Sequence, residues 1–154
     1  MMYCNKKVRC AAASVKGGEK APALHGEIKF FQRNSNVLVS VRIVGLPQDN
    51  PSGFYGFHIH SGESCEGEDF SATGGHYNPQ SQRHPSHKGD MPPLLSFSGN
   101  ACMKFVTDRF TVGEIIGKTV VIHQMPDDFT TQPSGNSGDK IACGVIRPIS
   151  CRSF

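Results

Sequence analysis

Short segments in which apolar and polar residues alternate are the feature that most constrains the fold of this chain. In NVLVSVRIVGL, residues 36–46, the odd-numbered positions from Val37 to Ile43 are all apolar. Ser40 and Arg42 lie between them and face the opposite way in an extended chain. No window keeps apolar residues at helical spacing for three turns. The pattern therefore predicts strands that bury one face in a core.

Turn-rich stretches separate the segments of this kind, which are 8–16, 26–33, 36–46, 54–60, 100–108, 118–124 and 140–148. The polar link RNSN at 33–36 predicts a hairpin turn. Two long loops follow, one rich in Gly and Pro that runs to about residue 93 and one at 125–139. We predict an all-β fold, a Greek-key β-barrel or sandwich of about eight strands, with two functional loops.

Size and charge limit the classes of partner. A chain of 154 residues is expected to form a single domain, with residues 1–7 as a loose N-terminal extension. The formal net charge is +3, and the basic residues are scattered without interleaved aromatics, so we expect no nucleic-acid partner. No stretch approaches the ~20 apolar residues of a membrane span, so we expect no membrane insertion.

The N-terminal segment and the cysteines bear on the compartment. Basic residues near the N-terminus are not followed by an apolar run of signal-peptide length, which predicts a cytoplasmic protein. A secreted chain whose leader had been removed would look the same. The six cysteines contain no C-x-x-C pair, which disfavours a structural zinc knuckle. In a cytoplasmic chain the default expectation is reduced thiols.

Six of the seven histidines fall into three clusters. Each histidine taken alone would more often be an ordinary surface or hydrogen-bonded residue. Together they indicate metal binding, because neutral imidazole is the commonest ligand for first-row transition metals. The clusters, with one nearby carboxylate, comprise His58 and His60; His76, His84, His87 and Asp90; and His123.

Strand geometry makes part of this prediction specific. In FHIH, Phe57 and Ile59 point one way, and His58 and His60 point the other way, about 6.5–7 Å apart. The same alternation in TVVIH turns His123 away from the core. One face of this strand pair can therefore present three imidazoles to one metal.

The second cluster reads as a zinc site that needs one more donor. His84, His87 and Asp90 supply two nitrogens and a carboxylate within seven residues, and tetrahedral zinc takes four ligands. His76 can complete this set or join the strand histidines. An imidazolate can also bridge two metals through its two nitrogens.

On these motifs the chain resembles the copper/zinc superoxide dismutase family. The resemblance runs from LHGEIKF near residue 24 to ACGVI at 142–146 and rests on GFHIH, GGHYNP, HKGD, TVVIH and GNSG in order. It implies a Greek-key β-barrel that binds copper and zinc.

The resemblance also implies roles for individual residues. The implied copper ligands are His58, His60, His76 and His123. The implied zinc ligands are His76, His84, His87 and Asp90, so that His76 bridges the metals. Asp127 matches the aspartate that hydrogen-bonds a copper ligand and a zinc ligand together, and Cys65 and Cys143 match the intrachain disulfide.

The implied activity is dismutation of superoxide to oxygen and hydrogen peroxide, through Cu(II)/Cu(I) cycling with a zinc-held bridging histidine. His76 would carry a proton, and Lys140 would guide the anionic substrate. The alternative is a related copper-binding or buffering protein with low or no turnover. A purely structural β-sandwich is disfavoured by the intact ligand set. The sequence does not determine the oligomeric state, and a homodimer is kept as a hypothesis.

The chain departs from the family pattern in three places. His84 and His87 are only three residues apart, so the zinc loop is shorter than usual. Lys140, preceded by Asp139, stands where the family has arginine. Lysine keeps the positive charge but cannot make the planar two-donor contact of arginine. Cys65 lies eleven residues before His76, so its loop carries an insertion, GEDFSA or thereabouts.

The remaining histidine and cysteines have ordinary interpretations. His25 fits none of the motifs and is expected at the surface. The other four cysteines are expected to be structural or free thiols, namely Cys4, Cys10, Cys102 and Cys151.

Overall fold

The computed structural model describes residues 8–151, so the predicted extension 1–7 and Cys4 lie outside it. Five longer strands carry most of the barrel, namely β1 (Cys10–Gly17), β2 (His25–Arg33), β3 (Asn36–Val44), β7 (Ala101–Thr107) and β9 (Lys140–Pro148). The shorter elements are β4 (Phe54–Tyr55), β5 (Phe57–His60), a 3-10 segment (Glu68–Thr73), β6 (Leu94–Leu95), α1 (Val112–Ile115) and β8 (Thr119–His123).

Seven of the strands form one curled antiparallel sheet in the order β5-β8-β9-β1-β2-β3-β7. Strands β4 and β6 pair separately. The first and last strands of the described residues, β1 and β9, are neighbours, so parts of the chain that are distant in sequence pair in the sheet. The prediction of an all-β fold is confirmed.

The core lies on one face of the sheet, as the alternation predicts. The odd-numbered residues of β3 from Val37 to Ile43 are all buried, while Arg42 is exposed. The hairpin predicted at 33–36 is present, with Arg33 opposite Asn36. Other large core side chains include Ile28, Phe30, Phe57, Ile59, Phe110, Ile122 and Ile141.

One predicted strand differs in a way that matters for the site. The segment 54–60 is divided at Gly56, whose N–H donates to Met125 O and whose carbonyl accepts from His123 N. A Cβ on Gly56 would lie 2.7 Å from Ser137 Cβ, so the backbone needs glycine to make this close approach. The break leaves β4 to pair with β6 and β5 to pair with β8.

Two disulfides are present, of which the first is implied by the family resemblance and the second corrects the expectation of structural or free thiols. Cys65 is bonded to Cys143, and Cys10 is bonded to Cys151. The second bond follows from topology: β1 pairs with β9, and Ile149 N donates to Cys10 O, which brings the two ends of the described chain together. A contact between residues 141 positions apart leaves no local signal in the sequence. Cys102 is an exposed free thiol.

Candidate metal centre

Strands β5 and β8 place three histidines on the side of the sheet that faces away from the core. Phe57 and Ile59 belong to the core, and His58 and His60 alternate with them. His123, the last residue of β8, brings its Nε2 atom to 3.2 Å from His60 Nε2. All three histidines are buried. The geometry expected from the alternation is present.

The loop between β5 and β6, residues 61–93 and called here the metal loop, docks along the edge of β5. Tyr77 N donates to Ile59 O at 2.8 Å, and Ile59 N donates to Gly89 O at 2.8 Å. Gly89 N donates back to Tyr77 O at 2.9 Å. A Cβ on Gly89 would lie 2.2 Å from Ile59 O, so only glycine allows this contact.

This docking brings loop residues beside strand residues. His60 forms an isolated antiparallel bridge with His76, and His58 forms one with Asp90. Two parts of the chain that are separate in sequence therefore contribute side chains to one buried cluster. The cluster divides into two groups of four side chains that share His76.

The first donor set consists of His58, His60, His76 and His123. His60 Nδ1 donates to Gly74 O at 2.8 Å, and His123 Nδ1 donates to Gly138 O at 3.1 Å. A carbonyl can only accept, so the Nε2 atom of each ring carries a lone pair. Burial lowers the pKa of His60, and burial with the neighbouring His58 lowers that of His123 to about 3. Both rings are therefore neutral near pH 7, as metal ligands must be.

The second donor set consists of His76, His84, His87 and Asp90. Asp90 Oδ1 lies 2.8 Å from His76 Nδ1, and Asp90 Oδ2 lies 3.2 Å from the Nδ1 atoms of both His84 and His87. Burial raises the pKa of Asp90, but the hydrogen bond with His76 and the nearby imidazoles outweigh burial, so that the pKa of Asp90 is lowered. The carboxylate is thus an anionic donor among three ring nitrogens.

The donor sets fit copper and zinc by two tests. Within residues 8–151, three buried ring nitrogens have no hydrogen-bond partner, namely His58 Nδ1, His76 Nε2 and His84 Nδ1. Buried polar atoms are rarely left unpaired, and these three point into the two donor sets.

The second test is spacing. Two donors at 2.0–2.1 Å from one tetrahedral ion lie about 3.3 Å apart. The paired nitrogens of His60 and His123 are 3.2 Å apart, and the Nδ1 atoms of His76 and His87 are 3.3 Å apart. Imidazole is a ligand for both copper and zinc, and a carboxylate among imidazoles is a common zinc donor set.

Asp127 joins the two donor sets without belonging to either. Its Oδ2 lies 2.7 Å from His58 Nε2 and its Oδ1 lies 2.8 Å from His84 Nε2. Phe129 N also donates to Oδ1 at 2.7 Å. Burial raises the pKa of Asp127, but the bonds to both imidazoles outweigh burial and hold that pKa well below its usual range. An ionised carboxylate fixes both rings with their Nδ1 atoms turned inward.

The turn GNSG encloses this carboxylate, a role that the sequence pattern left open. Gly135 has φ +76°, and a Cβ there would lie 2.1 Å from Asp127 Oδ1 and 2.6 Å from His84 Nε2. The second long loop, residues 124–139, therefore seals the bridge between the donor sets.

Two side chains that the sequence analysis missed hold the shortened part of the metal loop. Gln132 accepts from His84 N at 2.9 Å and donates to His84 O at 2.8 Å. The Arg109 guanidinium donates to Pro85 O at 2.6 Å and to His87 O at 3.1 Å. Both are remote in sequence and belong to no motif, so only the tertiary structure reveals them.

Lys140 lies beside the first donor set. It is the cross-strand neighbour of His123, next to an irregularity in the β8–β9 pairing. Its Nζ donates to Thr73 Oγ1 at 2.8 Å and to Gly74 O at 3.0 Å. Burial lowers the pKa of its ammonium group.

The charge of Asp139 is shared with a cation on another loop. Asp139 Oδ2 lies 3.0 Å from Lys20 Nζ, which also lies 3.0 Å from Asp69 Oδ1. The carboxylate next to Lys140 in sequence thus has a partner of its own, which reduces its effect on the field around Lys140.

The remaining residues singled out by sequence are also located. The Cys65–Cys143 disulfide ties the metal loop to β9. His25 is exposed and lies outside both donor sets, with its Nδ1 3.0 Å from Ala23 O. In the described part of the chain, no helix has the length and apolar character needed to cross a membrane.

Comparison with known proteins agrees with this geometry. A family model described as copper/zinc superoxide dismutase matches residues 24–146. The chain belongs to the copper/zinc superoxide dismutase family.

Relatives within the superoxide dismutase family come from distant organisms. The chain is 35% identical over 137 residues to superoxide dismutase (Cu-Zn) 2 of Aquifex aeolicus, covering 79% of this chain and 78% of that protein. It is 33% identical over 134 residues to superoxide dismutase (Cu-Zn) of Legionella pneumophila, covering 82% and 80%. Against superoxide dismutase (Cu-Zn) of Schizosaccharomyces pombe it is 36% identical over 153 residues, covering 88% and 96%.

Proposed function

We propose that this chain is a superoxide dismutase, an oxidoreductase that converts superoxide to oxygen and hydrogen peroxide with bound copper and zinc. The observation that carries the proposal is the pair of buried four-donor sets that share the ring of His76, in a chain of this family. A shared imidazole ring can hold a redox-active metal next to a redox-inert one.

The first donor set would hold copper and the second would hold zinc. Copper would be bound through His58 Nδ1 and through the Nε2 atoms of the other three rings, His60, His76 and His123. Zinc would be bound through the Nδ1 atoms and carboxylate of its four residues, His76, His84, His87 and Asp90. The orphaned nitrogens and the outward hydrogen bonds of the rings support these assignments.

When bound, copper supplies one-electron redox chemistry between Cu(II) and Cu(I), and zinc supplies a redox-inert positive charge. The protein holds the rings and handles the proton. His76 would take up a proton at Nε2 between the first and second superoxide and give it to the second, while its Nδ1 stays on the side of Asp90. The second proton of hydrogen peroxide would come from solvent. Asp127 keeps His58 and His84 oriented throughout.

Lys140 would bring the substrate to the first donor set. Superoxide is a small anion, and a fixed positive charge raises its local concentration and its rate of encounter. The Lys140 ammonium is half-buried, and it hydrogen-bonds the same Gly74 carbonyl as the His60 ring. It therefore lies on the Nδ1 side of the His60 ring, whose Nε2 belongs to the first donor set.

The experiment is a superoxide-consumption assay on protein loaded with copper and zinc, after a chelator has removed loosely held metal. We expect fast consumption by the loaded protein, loss of activity in His123→Ala, and full activity in His25→Ala, a histidine outside both donor sets. If the loaded protein binds both metals but consumes superoxide no faster than buffer, metal buffering replaces the catalytic role.

A homodimer is a finer part of the proposal. Phe54, Leu95 and Phe97 on and beside the β4–β6 ribbon are 40%, 58% and 84% exposed, and residues 91–103 contain no charged side chain. Exposed apolar patches of this kind mark association surfaces. Light scattering should give twice the chain mass for the wild type and the monomer mass for Phe97→Ser. A monomeric wild type at micromolar concentration would refute it.

The cytoplasmic location stays a prediction. The Cys10–Cys151 and Cys65–Cys143 disulfides favour an oxidising compartment, because thiols are kept reduced in most cytoplasms. Fractionation of the native host, with thiol labelling of each fraction, separates the two locations.

A further inference from the structure

We propose that Thr73, which directly follows the inserted stretch GEDFSA in the metal loop, is the positioning residue for Lys140 and so sets how this chain captures anions. The inference deepens the proposed function, since it rests on superoxide as the anion that Lys140 receives. It gives a role to an insertion and to a lysine that both depart from the family pattern.

The Thr73 hydroxyl donates one hydrogen bond and accepts another from Lys140. Thr73 is fully buried, and its Oγ1 donates to Phe70 O at 2.8 Å. Because the hydroxyl hydrogen is used there, the oxygen can only accept from the Lys140 Nζ, which lies 2.8 Å away. The direction of the ammonium is thus fixed by a buried acceptor rather than by solvent.

Gly74 supplies the second acceptor and connects Lys140 to the first donor set. Its carbonyl accepts from Lys140 Nζ at 3.0 Å and lies 2.8 Å from His60 Nδ1. Any shift of Thr73 and Gly74 would therefore move the ammonium and the His60 ring together. Lys140 is also the cross-strand neighbour of His123, so two rings of the set are near it.

The inserted segment is held firmly enough to place Thr73. Gly62 N donates to Thr73 O at 2.8 Å, and Ala72 N donates to Glu66 O at 3.1 Å. The Phe70 ring packs on Gly18, where a Cβ would lie 2.9 Å from Phe70 Cζ. The Cys65–Cys143 disulfide fixes the start of the segment to β9, the strand that carries Lys140.

Lysine needs such positioning more than arginine does. An arginine fork presents two donors in a fixed plane, whereas an ammonium on a flexible four-carbon stem has no preferred direction. Thr73 and Gly74 use two of the three N–H bonds of Lys140 in the part of the chain that the structure describes. The third N–H is then directed at an approaching anion.

The test uses the metal-loaded protein and azide as an anion that can be titrated at equilibrium through the copper absorption band. Thr73→Val keeps the shape of the side chain but removes the oxygen. We expect azide to bind about threefold to tenfold more weakly, the scale of one ordinary hydrogen bond, because Gly74 still holds the ammonium. Thr73→Ser should restore the wild-type affinity. The same two variants should show the same order in kcat/KM for superoxide.

A double-mutant cycle with Lys140→Met separates positioning from a merely structural role. If Thr73 acts through Lys140, Thr73→Val should have no further effect on azide affinity when the ammonium is absent. Copper and zinc content and the melting temperature are measured for every variant, and Thr73→Ala replaces Thr73→Val if the latter does not fold.

The inference is overturned if Thr73→Val binds azide as tightly as the wild type, or if its effect persists undiminished beside Lys140→Met. Either result in a protein that consumes superoxide rapidly leaves the proposed function intact. A wild-type protein that binds azide through Lys140 but does not consume superoxide would instead overturn the proposed function alone.

Discussion

The first donor set takes three of its four imidazoles from the adjacent strands β5 and β8, whereas the second takes all four of its side chains from the metal loop. In the strands, sheet hydrogen bonds and core neighbours such as Phe57 and Ile59 fix the backbone. In the loop, backbone bonds to β5 hold only the parts beside His76 and Asp90. The positions of His84 and His87 depend on side chains from elsewhere, chiefly Asp127, Arg109 and Gln132.

Because of this difference, we expect copper binding and zinc binding to depend on different contacts. A strand donor keeps its direction as long as the sheet is folded, because the alternation of side chains is a property of the backbone. A loop donor keeps its direction only while its outer contacts last, and loss of such contacts weakens metal binding. Changes remote from the metals should therefore affect zinc more than copper.

The largest effect is expected for the one residue that both sets share. His76→Ala removes a donor from each set and the proton-carrying nitrogen. Zinc affinity should fall by more than the ~10–100-fold typical of an outer contact, and superoxide consumption should be nearly lost. Isothermal titration with each metal and the copper spectrum of the loaded variant provide the measurement.

His25→Ala serves as the control for this variant, since His25 is exposed and lies in neither set. Unchanged loading of both metals and an unmoved copper spectrum in His76→Ala would mean that His76 does not bridge.

The same contrast explains how much could be predicted from the sequence. Alternation alone places His58 and His60 opposite Phe57 and Ile59, so the strand part of the site follows from period-2 geometry. The spacing of His84, His87 and Asp90 suggests a metal but does not say where the loop lies. Its position depends on backbone contacts such as that between Gly89 and Ile59, which pair distant residues.

Outer contacts were the part that sequence reasoning could not reach. Arg109, Gln132 and Thr73 act through one or two hydrogen bonds to atoms far away in sequence, and no periodicity or spacing marks them. Asp127 came only from the family resemblance. The Cys10–Cys151 bond depends on the pairing of β1 with β9, which a single sequence does not reveal.

A smaller but unequal effect is expected for Asp127→Asn. An amide cannot accept from both His58 and His84, so one ring loses its orientation. Because His58 is also held by β5, the loss should fall on His84, and zinc should bind about 10–100-fold more weakly. Competition with a chromophoric chelator measures this, with the melting temperature of the apoprotein as the check on folding. Equal zinc affinity would return Asp127 to an ordinary loop residue and make Asp128 the next position to test.

Arg109→Ala should have a more modest effect, confined to zinc. It removes the donors to Pro85 O and His87 O, which loosens the shortened loop without touching a ligand side chain. We expect zinc to bind about tenfold more weakly and copper to bind as in the wild type. Arg83→Ala, an exposed arginine in the same loop, is the matched control. An equal loss of copper would break the proposed contrast between strand and loop.

The smallest effect on either donor set is expected from removing the disulfide between Cys10 and Cys151. The Cys10→Ser, Cys151→Ser double variant should lose up to about 4–5 kcal/mol of stability on the loop-entropy model, since the closed loop spans 141 positions. Both metals should still bind normally, because neither cysteine belongs to a donor set in the described structure. Urea unfolding and metal titration measure the two quantities separately. Selective loss of zinc would contradict this expectation and would show that zinc binding also depends on the Cys10–Cys151 disulfide.

The most direct test of the account is a crystal structure of the loaded protein with anomalous data at the copper and zinc edges. We expect one copper peak in the first donor set, among His58, His60, His76 and His123. We expect one zinc peak in the second, among His76, His84, His87 and Asp90, with the His76 ring between the two peaks. Two peaks of the same element, a single peak, or a His76 ring bound to neither metal would contradict it.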